Sequence, residues 1–451
     1  MSPWIAAVIY IFGIVWLFIL DLRRDSKTSP ALWIAVIWVT IGASREVTQW
    51  LWGMGGSDQA SLDTYLEGSP VDRAIYIALL GAGLIVLMVR GQATGTFLAV
   101  NGPIIVFFLY AAISVAWSDF PLVAFKRWIK ALGNVVMVLV VLTDPNRPAA
   151  IKRFFAHSAF LLIPTSVLLV KYFPDIGRGY DAWTGVAMYV GVSTTKNGLG
   201  WDCLVFGLAT LWRFLYEYQD RKQTKLNGPL IAHGVVLGMA LWLIQQAKSS
   251  AAIGCFIIGS GIMCLAHFRW FVLRPLVMHI VVVSIISICV FGIVIDPDLG
   301  IVEAAGRDAT LTDRTFLWED LLRVDINPLF GTGFESFWIG DRTKLLWAKY
   351  AFHPNQAHNG YIEMYLSLGW VGLTLLGLMM VWGYRNVVRS LQMDTEIGRF
   401  NLPFFVVAVI FNLTEAAFKV MHPVWIVFLL VIMAIPLSAT RKGRELRKEI
   451  S

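Results

Sequence analysis

Runs of apolar residues with almost no charge recur along the whole 451-residue chain, and no other feature limits the fold as strongly. Thirteen such stretches stand at roughly 3–20, 31–43, 74–89, 96–117, 131–143, 154–170, 198–216, 229–246, 249–267, 275–295, 359–382, 402–418 and 424–438. A helix needs ~20 apolar residues to cross the hydrocarbon core of a bilayer, and most of these stretches approach that length. Lipid offers no water to peptide groups, so the stretches are expected to be helices rather than loops or open sheet. Composition enters only to exclude the alternative. Charged residues make up 15% of the chain and hydrophobic ones 57%, whereas a soluble domain carries roughly 25% charged residues to solvate its surface. The expected fold class is an all-α polytopic membrane protein with about twelve to thirteen spans and one large outer loop.

The expected organisation follows from the spacing of these stretches. Residues 1–295 hold the N-terminal transmembrane helices, 296–358 the large loop, 359–440 the C-terminal helices and 441–451 a basic tail. The opening MSPWIAAVIYIFGIVWLFIL lacks the basic leader and small-residue cleavage site of a signal peptide and reads as a retained span. Lys and Arg number 37 against 30 acidic residues. No basic run with interleaved aromatics supports nucleic-acid binding. Most of the cations fall in the loops that become cytoplasmic if the N-terminus is outside, from Arg23, Arg24 and Lys27 through Arg147, Lys152 and Arg153 to the tail. The four cysteines all lie inside apolar stretches without a CxxC, so neither a disulfide framework nor a zinc site is expected.

The long loop is more than a tether. It contains an amphipathic helix, TDRTFLWEDLLRV, with Thr312 or Asp313 as its expected cap. A loop of this size with its own helix commonly forms a lid or binding platform. Walker A, dinucleotide, HExxH and GxSxG signatures are all absent, which argues against ATP hydrolysis and the familiar hydrolase chemistries. Polar residues gather instead at the outer edge. His353 and His358 flank the start of the eleventh stretch, and Glu363 lies just inside it. A carboxylate within a span either serves function or pairs with a cation, and a histidine exchanges protons near neutral pH. The structural alternative has His358 capping its helix and Glu363 paired with an arginine. Arg127 and Lys130 in PLVAFKRWIKAL, Lys196 in VSTTKNGLG, Lys248 in QQAKSSA and Arg314 in the loop helix add fixed positive charge. Each alone reads as a snorkelling anchor. Together they suit a pyrophosphate, with Glu415 and His422 beside the last outer turn. Asp202 is a further intramembrane acid expected to pair with a lysine. His353 and His358 are five residues apart and off one helical face, so no metal or other cofactor is expected.

Three segments in order, DATLTDRTFLWEDLL, NPLFGTGFESF and AHNGYIEMYLSLGWVGLTLLG, resemble the signature of the O-antigen ligase/polymerase superfamily. TTKNGLG and QQAKSSAAIG also match family positions, although relatives often carry Ser-Arg where this chain has Lys248-Ser249. The likeness spans most of residues 100–430 and implies a multi-pass protein of the bacterial inner membrane with its site on the periplasmic side. Family members typically have about twelve helices, which makes the first span an addition. The resemblance further implies a metal-independent glycosyltransferase whose donor is a glycan on undecaprenyl pyrophosphate. It assigns His358 as general base, Glu363 as its orienting group with Glu415 in reserve, and Arg314, Arg127, Lys130, Lys196 and Lys248 to the pyrophosphate. Expected partners are the lipid-linked glycan, membrane lipid, a flippase and a chain-length regulator. A polymerase adding the chain to the next lipid-linked repeat unit is favoured by the aromatic-rich loop. A ligase transferring it to lipid A–core is the second reading. A secondary transporter, which predicts paired broken helices around a midplane ion site, is the third.

Overall fold

The computed structural model describes residues 1–21, 27–53, 69–180, 185–224, 227–295, 310–350, 352–393 and 395–436. The basic tail, Arg23 and Arg24 of the first inner loop, and residues 296–309 of the long loop lie outside that set. All thirteen apolar stretches are helical over most of their length. Among the described residues the only sheet is a short hairpin in which Arg178–Tyr180 pairs antiparallel with Ala187–Tyr189, Gly179 opposite Met188. The chain is an all-α polytopic membrane protein.

Among the described residues, six helices are long and apolar enough to cross a bilayer: Pro3–Leu20, Pro70–Val89, Arg147–Tyr172, Gly228–Ala247, Pro275–Ile293 and Gly360–Met393. Leu32–Gly42, Ser250–Leu265 and Pro423–Ile432 are apolar but shorter. Pro121–Leu142 and Lys196–Thr224 are long but carry several charges. The packing order is that of a bundle in lipid. Pro3–Leu20 leaves Trp4 79% and Phe12 70% exposed on its outer face, where lipid replaces water as their neighbour. Pro423–Ile432 has every residue buried and forms the central post of the bundle. Its Phe428 packs against the rings of Phe405, Phe418 and Trp425, with centroids 5.5–5.8 Å apart. Because hydrocarbon is as apolar as leucine, association here rests on close packing and on polar contacts rather than on expulsion of water.

Three boundaries differ from the sequence reading, and two of them have an identifiable cause. The expected span 96–117 is two helices, Gly91–Val100 and Gly102–Trp117, meeting at 87°. Asn101 sits between them, and Pro103 opens the second helix where its missing N–H costs nothing. The Asn101 amide donates to the carbonyls of Phe97 at 2.7 Å and Ala434 at 3.1 Å, and accepts from the Ala434 N–H at 2.8 Å. The expected span 402–418 ends at Phe411, because the Asn412 side chain accepts the N–H groups of Ala417 and Phe418, both at 2.9 Å. In the stretch 424–438 the helix ends at Ile432, and residues 433–436 are not helical.

The described part of the long loop is a packed layer. Its helix, Thr310–Arg323, begins before Thr312 and Asp313, so these lie within the first turn and not at the cap. Leu317, Leu321, Phe337, Trp338, Leu346, Ala357 and Leu366 form a second hydrophobic cluster that seats the loop on the start of helix Gly360–Met393. That long helix is broken at Gly369, whose φ of +62° suits glycine. The break frees the N–H groups of Trp370 and Val371, which donate to Pro328 and Leu329 of the loop at 2.9 and 3.1 Å. A Cβ on Gly369 would sit 2.3 Å from the Leu329 carbonyl. Gly369→Ala is therefore expected to cost about 2–4 kcal/mol. Thermal unfolding in detergent should show the lowered Tm, and a wild-type value would mean that the loop does not grip the helix there.

Candidate functional site

The centre of the site is a buried carboxylate. Asn412 ends one helix and Pro423 starts the next, leaving the polar turn 412–422 among apolar helices. Glu415 on this turn is only 2% exposed. An unpaired charge at such a position would be very costly, and three donors answer it. Arg314 of the loop helix reaches Glu415 Oε1 at 3.3 Å, and its other terminal nitrogen bonds the Thr414 carbonyl at 2.5 Å. The Asn197 amide, at the start of helix Lys196–Thr224, donates to the same Oε1 at 3.4 Å. His358 Nδ1 lies 3.4 Å from Oε2.

His358 is placed by backbone strain and by its neighbours. Its φ is +51°, in the left-handed region. The next residue, Asn359, caps the long helix by accepting from Tyr361 at 2.9 Å and Ile362 at 3.1 Å. The capping role expected for His358 therefore belongs to Asn359. The Asn359 amide also donates to the Leu413 carbonyl at 3.1 Å, and Gly360 N–H donates to the Asn412 carbonyl at 2.8 Å. These bonds stitch His358 to the turn that carries Glu415. A Cβ on Gly360 would fall 2.0 Å from Asn412 Oδ1, so only glycine allows this approach. The Gln356 amide nitrogen also lies 3.4 Å from Nδ1. Nδ1 can serve as donor or acceptor but not both. The charge-assisted bond to Glu415 is the stronger, so Nδ1 carries the proton and the lone pair is left on Nε2.

Glu363 occupies a different place. It is one turn into the long helix and accepts from the Trp338 indole at 3.0 and 2.9 Å and from the Ala357 N–H. It is not paired with an arginine through any contact seen among the described residues, and its bonds go to the loop rather than to His358. It faces a small cavity with Glu335 and Lys419.

The five cations divide. Arg314 joins the Glu415 cluster. Arg127 donates to the Glu335 carbonyl, and the Glu335 side chain accepts from Val420 N–H at 3.4 Å, which ties helix Pro121–Leu142 to the same turn. Lys130, one turn on, is engaged elsewhere: it bonds Glu46 at 3.1 Å and sits 4.0 Å above the Tyr76 ring. Lys196 is exposed beside Asn197. Lys248 is exposed in a left-handed turn whose neighbour Ser249 packs on Gly200, within a turn or so of Lys196. His353 is exposed and stacked on Trp347 at 5.2 Å, apart from His358. Asp202 accepts from Ser193 at 2.7 Å, taking a hydroxyl where a lysine was expected. Sequence reasoning missed Asn197, Asn412, Glu335, Gln356 and Lys419. Asn197 is one residue from the noted Lys196, whereas nothing local in the sequence signals Asn412.

Residues 233–377 match the family model described as O-Antigen ligase. The chain is also 26% identical, over 358 residues, to the exopolysaccharide production protein ExoQ of Rhizobium meliloti (strain 1021), covering 76% of this chain and 78% of that relative. Both findings support the O-antigen ligase/polymerase superfamily for this chain. The matched stretch contains Lys248, Arg314 and His358 but stops short of Glu415.

His422 closes the turn and is 8% exposed. Its Nδ1 accepts the Val424 N–H at 3.2 Å, which requires a neutral ring, and Trp201 lies 4.4 Å away. Burial pushes the imidazole down to about 3, against the opposing pull of Glu415. Free histidine titrates near ~6.5, so between these values the unfolded chain binds the additional proton. The stabilisation is thus complete above ~6.5 and is lost as pH falls towards 3. Tm should decline on acidification through this window. His422→Asn keeps an N-cap acceptor and should flatten that decline, whereas an unchanged slope would remove His422 as its source.

Proposed function

We propose that the chain is a polysaccharide polymerase, moving a growing glycan from undecaprenyl pyrophosphate onto the next lipid-linked repeat unit. Family match and relative together support a glycosyltransferase-like role of the O-antigen ligase/polymerase kind in polysaccharide synthesis. The observation that carries the reading further is the Arg314–Glu415–His358 chain, in which three separate segments bring a cation, a carboxylate and an imidazole to one point, with the Asn197 amide added from a fourth. We place the site on the periplasmic face of the bacterial inner membrane, as the short-loop charges suggest, with a flippase and a chain-length regulator as working partners.

In this mechanism the acceptor hydroxyl attacks the anomeric carbon. Its proton passes to His358 Nε2 as the new glycosidic bond forms. The bond from the anomeric carbon to the phosphate oxygen breaks, and lipid pyrophosphate leaves with the electron pair. Glu415 holds the imidazole tautomer and stabilises the imidazolium that forms, the role a buried carboxylate plays beside a histidine base. Arg314 is pinned by two bonds and is therefore a preorganised charge for the leaving group. Such groups usually supply the largest catalytic term. Lys196 and Lys248, exposed on adjoining turns, extend the positive field without being part of the buried chain. Glu363 serves as a clasp between loop and helix, which separates its expected phenotype from that of Glu415.

The description of the matched family favours a second acceptor, lipid A–core, with the same chemistry. The name of the relative favours exopolysaccharide. Purified protein incubated with lipid-linked repeat units discriminates: a product ladder supports the polymerase, and transfer to lipid A–core alone would transfer the reading to the ligase. His358→Ala and Glu415→Gln should each slow extension by about 10²–10⁴-fold, and Arg314→Ala comparably. Lys248→Ala is expected to be milder, and Glu363→Gln to lower Tm more than rate. Full-length polymer from His358→Ala would remove that residue from the chemistry, and a ladder lost on adding a chelator would make the reaction metal-dependent.

A further inference from the structure

A cavity lined by described residues lies at the other end of the bundle. It measures about 1050 Å³ and opens between the turn 143–148 and the far ends of helices Gly360–Met393 and Pro423–Ile432. Helix Pro121–Leu142 runs from Arg127 near the site to this cavity, so the two lie on opposite faces. One wall is apolar, with Phe97, Leu142 and Leu430; the other carries Arg147, Arg389 and Asn401.

Three observations say what this space would take. Its volume is at the upper end of that of small-molecule pockets, and a polar cavity of this size is not empty in a membrane. Asn401 is only 5% exposed; its amide nitrogen donates to Ser390 at 3.2 Å, yet its Oδ1 has no partner among the described residues. A buried acceptor left in this state is costly and calls for a donor from the occupant. Arg389 is exposed at the rim with no bond to a described residue. The nearby acid, Asp144, does not oppose an anion. It accepts from the Ser29 and Asn146 N–H groups at 3.0 and 2.9 Å and lies 3.5 Å from Arg90. The sequence beyond residue 440, RKGRELRKEIS, carries five basic residues against two acidic ones and is ill suited to a cationic lining.

We infer that this cavity binds the headgroup of an anionic phospholipid from the leaflet at that end. Its phosphate meets Arg389 and Arg147, a headgroup hydroxyl donates to Asn401, and the first carbons of the acyl chains lie along Phe97 and Leu430. Basic pockets between transmembrane helices suit such headgroups. The inference does not depend on the proposed reaction.

The test is thermal unfolding of the purified full chain in detergent, titrated separately with phosphatidylglycerol, phosphatidylcholine and inorganic phosphate. Phosphatidylglycerol should raise Tm saturably, and more than phosphatidylcholine, which has no hydroxyl to donate. Arg389→Ala should weaken its apparent affinity about tenfold, the loss expected for one charge-assisted contact. Arg385→Ala removes the same charge one turn earlier, at an exposed position outside the cavity, and should titrate like wild type. Equal weakening by both variants would reduce the effect to surface charge and overturn the site, as would wild-type behaviour of Arg389→Ala. Stabilisation by inorganic phosphate to the same extent would assign the cavity to a free anion and overturn the lipid reading.

Discussion

A peptide group inside a membrane must find its partner within the protein, and the candidate site gathers where helices stop obeying that rule by themselves. At Asn412 the helix ends and a side-chain amide accepts the two N–H groups that continuation would have used. At Asn359 the next helix begins, again with an amide supplying the acceptor. At Gly369 the backbone turns out of helical geometry, and loop carbonyls receive the freed donors. These repairs make polar turns affordable within an apolar bundle. Because the repairs at 359 and 412 also bond to each other, two unrelated segments are held in register. His358 and Glu415 meet because of that register.

The electrostatics of the site follow from the same economy of partners. Glu415 is too buried to rely on water, so its environment must contain a cation. The structure draws that cation from the loop helix and not from the membrane helices. Lys130 and Arg127 are one helical turn apart, yet only Arg127 reaches the loop and the 412–422 turn. Lys130 is held by Glu46 and Tyr76. A cluster of positive residues in sequence is thus resolved into separate assignments by which acceptor each can reach.

The fold was legible because its cause is local: apolar length and the scarcity of charge read directly as helices. Helix ends were less legible. The break at Asn101 depends on its bonds to Ala434, and the end at Phe411 depends on a side chain catching residues five and six positions ahead. Hydropathy sees neither. The candidate site divides in the same way. His358, Arg314 and Glu415 were recognisable as polar groups at one edge, because a charge beside an apolar run is conspicuous. Glu363 and Glu415 could not be ranked from sequence. Glu363 is five residues from His358 but turns towards Trp338, while Glu415, 57 residues away, faces the imidazole. Proximity along the chain favoured the wrong carboxylate as the neighbour of the histidine.

The dependence of Glu415 on Arg314 has one further consequence. Arg314 belongs to the loop layer, which is seated by its own small hydrophobic cluster and by the bonds of Trp318 to Ala357 and of Trp338 to Glu363. Lifting that layer would strand a buried carboxylate, and breaking a buried ion pair by losing one partner costs about 3–5 kcal/mol. Burying one or two large apolar side chains supplies a comparable amount, about 1.5–3 kcal/mol each, so the loop is held down by the acid beneath it as well as by its apolar side chains. Loop packing and the charge state of the site are therefore one equilibrium. A substitution that weakens either, even one far from the imidazole, acts on both.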